Sequence, residues 1–317
     1  MSILPIDHGI FASSGAAGVV GAGYFAGGNA IVSGSYTCVT TVDKFAFSDD
    51  SRTTLGTGLS GIRQLGAGFG NAGVAGYEAG GNTGSGNVAT TDKFAFADDA
   101  RSTLSSGLSS ARNTQAGCSN SGTAGYVGGG EPGAQTTVDK FDFSDDSRST
   151  LGTGLATGVR QVASFGNSGT AGYFAGGNTG SSPYKSSDVD KFAFSDDSRS
   201  TLGTGLSSTT RECTGMANSG TAGYVALGNT GSTVTTVNKF AFSDDSRSTL
   251  STGLSSARKN SGGMANSGTA GYFGGGDGPS STVDKFAFSD DSRSTLGTGL
   301  SSARDGLMGF ANEPALV

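Results

Sequence analysis

The sequence predicts an all-β fold, a six-bladed β-propeller with four antiparallel strands in each blade. Glycine supplies 57 of the 317 residues, more than twice its usual share of roughly 7%, and it disfavours helices by about 1 kcal/mol per position. The 19 phenylalanines and 8 tyrosines are far more than a disordered chain carries. A single unit of about 48 residues is repeated six times, and a repeat of this length is typical of propellers.

Four markers define the repeat, and they keep the same order in all six copies. One is the lysine of the Asp-Lys-Phe-Ala-Phe-Ser-Asp-Asp-Ser-Arg segment, and the others are a Gly-Tyr tyrosine, a closing arginine and an asparagine. The lysines are Lys44, Lys93, Lys140, Lys191, Lys239 and Lys285. The tyrosines are Tyr24, Tyr77, Tyr126, Tyr173, Tyr224 and Tyr272. The arginines are Arg63, Arg112, Arg160, Arg211, Arg258 and Arg304. The asparagines are Asn71, Asn120, Asn167, Asn218, Asn266 and Asn312.

The fifth repeat shows how each unit divides into strands. Residues 215–219 form a strand of small residues, 222–228 a second strand, 236–242 a third with phenylalanine on one face, and 247–254 a fourth. The Ser-Asp-Asp-Ser segment between the third and fourth strands predicts a turn, because its side chains can bond their own backbone. Coils of a β-helix are much shorter, so four strands per unit favour a propeller.

The repeat resembles the kelch repeat, in which an aromatic residue precedes a Gly-Gly doublet and an alternating apolar strand follows. The doublets are Gly27-Gly28, Gly80-Gly81, Gly129-Gly130, Gly176-Gly177 and Gly275-Gly276, with Leu227-Gly228 in the fifth repeat. The kelch tryptophan is absent, and Arg52 and its equivalents take its place. In regularity the chain is more similar to kelch-like proteins encoded by bacteriophages and aquatic viruses than to eukaryotic adaptors.

A propeller ring must hide its first and last edges. Residues 309–314 copy the first strand of a repeat and stop where a second strand would start. We therefore expect 308–317 to pair with strands from 23–60 and close the ring, with 1–22 as an N-terminal arm and 23–317 as the propeller. Residues 11–15 also resemble a first strand and are the alternative for this position.

Variation between the copies is concentrated in the loops after the doublet, which predicts a binding surface there. Tyr36, Tyr184 and Lys185 are the large side chains in these loops and are the candidate contact residues. Neutral drift in solvated loops is the alternative explanation.

The repeated polar residues have a functional and a structural interpretation. The six asparagines are candidates for a polar ring that lines the central channel, unless they satisfy backbone groups at a crowded hub. The Ser-Asp-Asp-Ser turns offer oxygen ligands for calcium but lack the spacing of a calcium loop, so solvated turns are expected. The closing arginines are expected to have a framework role, in which they bond the carbonyls of neighbouring strands. The aliphatic stems of Lys44 and its equivalents are expected to cover phenylalanine and to keep the ammonium in water.

Composition argues against catalysis and against nucleic acid as a partner. The chain has a net charge of −6, one histidine, and three cysteines at unrelated spacings. Some kelch-like propellers are copper oxidases, but copper needs several histidines. We expect no enzyme activity, no cofactor and no metal site. The three cysteines are expected to be apolar fillers.

The expected function is a structural or adhesive binding module, most typically a virion component such as a phage tail, fibre or capsid-surface protein. Its partners would be other structural proteins of the assembly or a host-surface glycan or protein. A bacterial carbohydrate-binding or scaffold propeller is the alternative. No Sec-type signal or apolar span of ~20 residues is present, which predicts synthesis in the cytoplasm, no membrane insertion, and a final location in the virion or outside the lysed cell.

Overall fold

The computed structural model describes residues 21–312, and these form 27 β-strands without a helix. The strands of the first three repeats are β1 Ala22–Ala26, β2 Asn29–Val32, β3 Ser35–Cys38, β4 Val42–Ala46, β5 Arg52–Thr54, β6 Ala67–Asn71, β7 Ala75–Ala79, β8 Thr91–Ala95, β9 Arg101–Thr103, β10 Ala116–Asn120, β11 Ala124–Gly128, β12 Val138–Asp142 and β13 Arg148–Thr150. Those of the remaining repeats are β14 Ala163–Asn167, β15 Ala171–Ala175, β16 Val189–Ala193, β17 Arg199–Thr201, β18 Thr214–Asn218, β19 Ala222–Ala226, β20 Val237–Ala241, β21 Arg247–Thr249, β22 Gly262–Asn266, β23 Ala270–Gly274, β24 Val283–Ala287, β25 Arg293–Thr295, β26 Arg304–Asp305 and β27 Met308–Asn312.

The described strands form seven antiparallel sheets, where six were predicted. Six sheets are four-stranded: sheet 1 (β27-β1-β4-β5), sheet 2 (β6–β9), sheet 3 (β10–β13), sheet 4 (β14–β17), sheet 5 (β18–β21) and sheet 6 (β22–β25). The seventh, which we call the hairpin sheet, is three-stranded in the order β26-β2-β3. It arises because the long loop after β1 folds back through a Ser33-Gly34 turn with positive φ at both residues.

Each four-stranded sheet runs from a buried inner strand to a short, polar outer strand. Second strands such as β7 are buried at all five positions, whereas three-residue outer strands such as β9 are largely exposed. The third strands bury a valine or threonine, an aspartate or asparagine, and a phenylalanine, and leave the lysine half-buried. The polar edge therefore faces outward, where an unpaired strand meets water.

The first strands lie side by side around a central axis in a closed circuit. Each of β6, β10, β14, β18, β22 and β27 contacts two others, and β27 contacts both β22 and β6. A Cβ added to Gly68 of β6 would lie only 2.1 Å from the carbonyl oxygen of Gly309 in β27. Only glycine permits this approach of two backbones.

The pairing expected between the two ends of the propeller is present within the described residues. Strand β27 pairs antiparallel with β1, and Tyr24 lies opposite Phe310 with ring centroids 4.8 Å apart. Strand β1 begins at Ala22, one residue before the expected domain boundary. The rest of the expected N-terminal arm, 1–20, the alternative segment 11–15 and residues 313–317 lie outside the described residues.

One end of the ring, which we call the turn face, carries the Asn-Ser-Gly and Ser-Asp-Asp-Ser turns. In each repeat the second aspartate of that turn has a φ near +57° and accepts hydrogen bonds from a tyrosine and a lysine of the preceding sheet. The Tyr–Asp bonds measure 2.7–2.8 Å and the Lys–Asp bonds 2.6–2.7 Å. Each Nζ also lies 5.3–5.5 Å from the tyrosine ring of its own sheet, so the ammonium groups are held by a carboxylate and a ring and do not stand free in water as expected.

Candidate functional site: the loop face

The variable segments of all repeats gather at the opposite end of the ring, which we call the loop face. Second strands run toward this end and finish at the glycine doublet, and first strands start from it. Isolated bridges such as Gln64↔Asn82 and Asn113↔Glu131 tie the loop after each second strand to the segment before a first strand. Loops that are far apart in the sequence therefore form one continuous surface around the axis.

A closed ring of six residues surrounds the axis at the loop face, and we call it the axial ring. Each residue has a φ of 53–58° and donates its backbone N–H to the carbonyl of the preceding member, with N···O distances of 2.6–3.2 Å. Its members are Leu65, Thr114, Gln161, Glu212, Asn260 and Gly306. Left-handed backbone costs a non-glycine residue about 1 kcal/mol or more, and such strain is often found at binding sites. No two members of the ring have the same side chain, in contrast to the near-identical strands.

The axial ring borders a cavity of about 110 Å³ around the axis. Gln115 also lines this cavity, and its Oε1 is buried without a hydrogen-bond partner, as is Oε1 of Gln161. Lys259 Nζ bonds Glu212 Oε1 at 3.0 Å and lies 3.4 Å from an Asp277 carboxylate oxygen. Burial and the charge of Asp277 raise the pKa of nearby Asp305 to about 6. The cavity wall therefore carries two amide oxygens without partners, and its axial-ring side chains differ in every repeat.

The asparagines predicted to line the channel have buried or half-buried side chains at the turn face. In five of them Oδ1 accepts the backbone N–H of a glycine in the adjacent sheet, at 2.7–2.9 Å: Asn71, Asn120, Asn167, Asn218 and Asn312. Asn266 is half-buried. The turn-face cavity, about 140 Å³, is lined instead by residues such as Gly70, Ser119 and Ala217, and none of the six described asparagines borders it. The carboxamides of those five satisfy backbone groups of the neighbouring sheet, as the structural alternative anticipated.

The three predicted contact residues lie on the loop face but not together. Tyr36 belongs to β3 of the hairpin sheet and is 63% exposed, whereas Tyr184 is 54% exposed in the loop of sheet 4. Sheets 1 and 4 are separated by two sheets in either direction around the circuit. Lys185 is used within the protein, since its Nζ donates to the carbonyl of Thr230 in the next loop at 2.7 Å.

Two exposed aliphatic residues beside Tyr36 were missed by sequence analysis. Ile31 lies directly opposite Tyr36 across the hairpin and is 56% exposed, and Val32 is exposed next to it. The signal was available, because a run of strand-forming residues on both sides of a Ser-Gly pair is typical of a hairpin. The hairpin sheet therefore presents a small apolar patch, made by Ile31 and Tyr36 on one face, while Val32 is exposed on the opposite face.

The closing arginines have the expected framework role in four sheets only. Four of them are buried and pair with the third-strand aspartate: Arg63 with Asp92, Arg112 with Asp139, Arg258 with Asp284, and Arg304 with Asp43. They also donate to backbone carbonyls, as Arg304 does to Gly27. Arg160 and Arg211 lie one position later, and Val159 and Thr210 occupy the buried position in sheets 4 and 5.

One buried carboxyl group is an exception within the framework. Glu78 in β7 is fully buried, and neither carboxyl oxygen has a hydrogen-bond partner. Desolvation raises its pKa well above the usual value; the charge of Arg63 opposes this rise and that of Asp92 adds to it. The equivalent residues of the other sheets are Phe25, Val127, Phe174, Val225 and Phe273.

Neither a cluster of metal ligands nor a reactive thiol is found among the described residues. Residues 21–312 hold no cluster of three or more His, Cys, Asp or Glu side chains placed to bind a metal ion. The three cysteines are buried and unpaired, and burial raises the pKa of Cys118 and of Cys213 to about 12. Such thiols are poor nucleophiles at neutral pH. Within the same range there is also no helix long and apolar enough to cross a membrane.

Comparison with known proteins identifies the fold. No family model matches the chain, and no curated protein matches it. A solved structure titled "Structure of YjhT" is similar, with a TM-score of 0.63 over 86% of this chain and 97% of that one. The two chains share 14% identity, which supports a common fold and nothing more specific. Together with the circuit of antiparallel sheets, this likeness shows that the chain is a β-propeller.

Proposed function

We propose that the protein is a non-enzymatic binding module, a structural or adhesive component of a virus-like particle. In this proposal its kelch-like, phage-type repeats form a six-bladed ring, and the loop face contacts another structural protein or a host surface. The chain would act in the virion or outside the lysed cell.

The observation that carries the proposal is the apolar patch of the hairpin sheet. Ile31 and Tyr36 are exposed side by side, in the only repeat that has an additional sheet within the described residues. Adjacent exposed apolar residues indicate a protein-contact site more strongly than scattered ones do, and tyrosine is common among the residues that contribute most to binding.

The framework supports a mechanical role. Every pair of neighbouring sheets is joined on the turn face by the same tyrosine and lysine bonds to one aspartate. Such a ring presents its loops from a rigid support, so that little ordering entropy is lost when a partner binds.

Carbohydrate binding is the second candidate and has weaker support. A repeated sugar site would need an aromatic side chain exposed at the same place in every blade. The repeated tyrosines are instead fully buried, and an exposed tyrosine occurs in the loop after the doublet of two repeats only, as Tyr36 and Tyr184. The polar axial cavity is the feature that could hold a sugar, but it occurs once per ring.

The test is fractionation of particles from cells that express the protein. We expect the chain to co-sediment with particles in a density gradient, and the Ile31→Ser/Tyr36→Ser double variant to be lost from that fraction. Val74→Ser is the matched control, because Val74 is equally exposed but lies on the turn face. A chain that stays in the soluble fraction and binds a glycan array reproducibly would refute the proposal and favour the second candidate.

A further inference from the structure

In four sheets the third-strand aspartate accepts hydrogen bonds from nearly the same set of donors. In sheet 3, Oδ2 of Asp139 accepts from the backbone N–H and the hydroxyl of Ser109, each at 2.9 Å, and from Arg112 Nη2 at 3.0 Å. The same oxygen is bound by Arg258 in sheet 6 and by Arg304 in sheet 1, at 2.8 and 2.6 Å, and by Arg63 in sheet 2. This position is therefore built to hold a cationic N–H donor.

Sheet 4 keeps the carboxylate but lacks two of these donors. Val159 stands where the arginine would be, and Ala156 replaces the serine, so that Asp190 Oδ2 retains only the backbone N–H of Ala156, at 2.7 Å. The other oxygen, Oδ1, accepts from Thr201 Oγ1 at 2.6 Å and lies 3.7 Å from Arg199 Nη1. Asp190 is 6% exposed.

Sheet 5 also lacks the arginine, but its carboxylate has been lost too. Thr210 occupies the arginine position, and Asn238 replaces the aspartate. The amide of Asn238 donates to Ser207 Oγ and to Thr249 Oγ1, at 3.0 and 2.9 Å. In the described chain, sheet 4 is thus the one that retains the anion without its buried cation.

A small cavity lies where the guanidinium would end. It measures about 20 Å³ and is lined by Val159, Phe174, Ser186, Asp188 and Asp190, among others. About 10–15 Å³ of such space holds one water molecule, so one small polar group fits. Asp188 at its border is exposed, which places the cavity at the edge of the loop face, next to the Tyr184 loop.

We propose that this cavity binds a cationic nitrogen group from outside the chain, either an ammonium or the end of a guanidinium. A buried carboxylate oxygen that has lost two of its three usual donors gains most from a charge-assisted hydrogen bond. The sister sheets show the geometry of that bond within the same protein. Asp190 would accept the N–H, and Asp188 at the border would attract the positive charge. This inference does not depend on the proposed function.

The test uses three small cations at equal ionic strength with the full chain. Ammonium chloride and methylguanidinium chloride carry N–H donors, whereas tetramethylammonium chloride has none. We expect the first two to raise the melting temperature saturably, and the stronger of them shows whether a lysine-like or an arginine-like group fits. Asp190→Asn should weaken the apparent affinity at least tenfold. Asp142→Asn, which removes an exposed carboxylate of sheet 3, should leave it unchanged.

The variant Val159→Arg gives an independent measurement, because its side chain would supply the missing cation. We expect it to raise the melting temperature and abolish the response to both N–H cations. An equal response to tetramethylammonium, or an unchanged affinity in Asp190→Asn, would overturn the proposal. The proposal would also be overturned if no cation shifts the melting temperature of the native chain, because the cavity then holds water alone.

Discussion

The turn face and the loop face are built from the same six repeats, yet the copies agree on one face and differ on the other. On the turn face all six Tyr–Asp and Lys–Asp bonds have nearly the same length. On the loop face the axial ring has six different side chains, and the buried Arg–Asp pair occurs in four sheets. The repeat is uniform where it joins sheet to sheet and diverges where a surface can meet a partner.

Deletion of 309–317 should have the largest effect, because it removes most of β27 and leaves both faces without their closing strand. Phe310, which packs on Tyr24 and Phe94, is lost with it. Loss of one buried phenylalanine costs about 3–5 kcal/mol, and 1 kcal/mol corresponds to roughly 2–4 °C in a larger domain. We expect calorimetry to show a fall of about 10 °C or more in melting temperature. An unchanged transition would mean that β27 does not hold the ring together.

Arg304→Met should have the next largest effect and tests the loop-face side of the comparison. It leaves the buried carboxylate of Asp43 without its cation, and breaking a buried pair costs about 3–5 kcal/mol. The control is Arg160→Met, because Arg160 carries the same marker in the sequence but forms a partly exposed pair with Glu131. That variant should cost about 1 kcal/mol or less in urea unfolding. Equal costs would show that the two arginines are equivalent after all.

The sequence contained the signal that separates these arginines. The start of β6 at Ala67 is four positions after Arg63, but the start of β14 at Ala163 is only three positions after Arg160. Repeat spacing was sufficient to predict the four-stranded sheets and the closing strand. The axial ring could not be predicted, because it is made by backbone groups of six distant segments. The hairpin sheet was not predicted, because the variable segment after the doublet was expected to be a loop.

Glu78→Val should stabilise the protein, because it removes the buried carboxyl group that has no hydrogen-bond partner between sheets 1 and 2. Valine occupies the equivalent position in sheets 3 and 5, and loss of an unpaired buried polar group is worth about 1–3 kcal/mol. Because desolvation raises the pKa of Glu78, the native state favours the protonated form. The stability that protonated Glu78 contributes is therefore fully present below the ordinary glutamate pKa of about 4.3. It is lost as the pH rises through the pKa of Glu78 in the folded state. Melting temperatures of both proteins from pH 4 to 8 should diverge as the pH increases. Parallel curves would show that Glu78 has a partner in solution.

Uniformity of the turn face is tested by one substitution made at three places. Asp50→Asn, Asp146→Asn and Asp245→Asn each keep an acceptor for the tyrosine and a side chain that tolerates positive φ, but remove the charge that pairs with the lysine. We expect each variant to lose about 1 kcal/mol, since these partly exposed pairs are screened by water. The three costs, measured by urea unfolding, should agree within about 0.5 kcal/mol, and each should shrink at high salt. Asp50 is the informative member, because its tyrosine and lysine partners come from sheet 6, at the other end of the sequence. A cost at Asp50 unlike the other two would show that the closing interface is not equivalent to the interior ones, and the uniform face would then end where the ring closes.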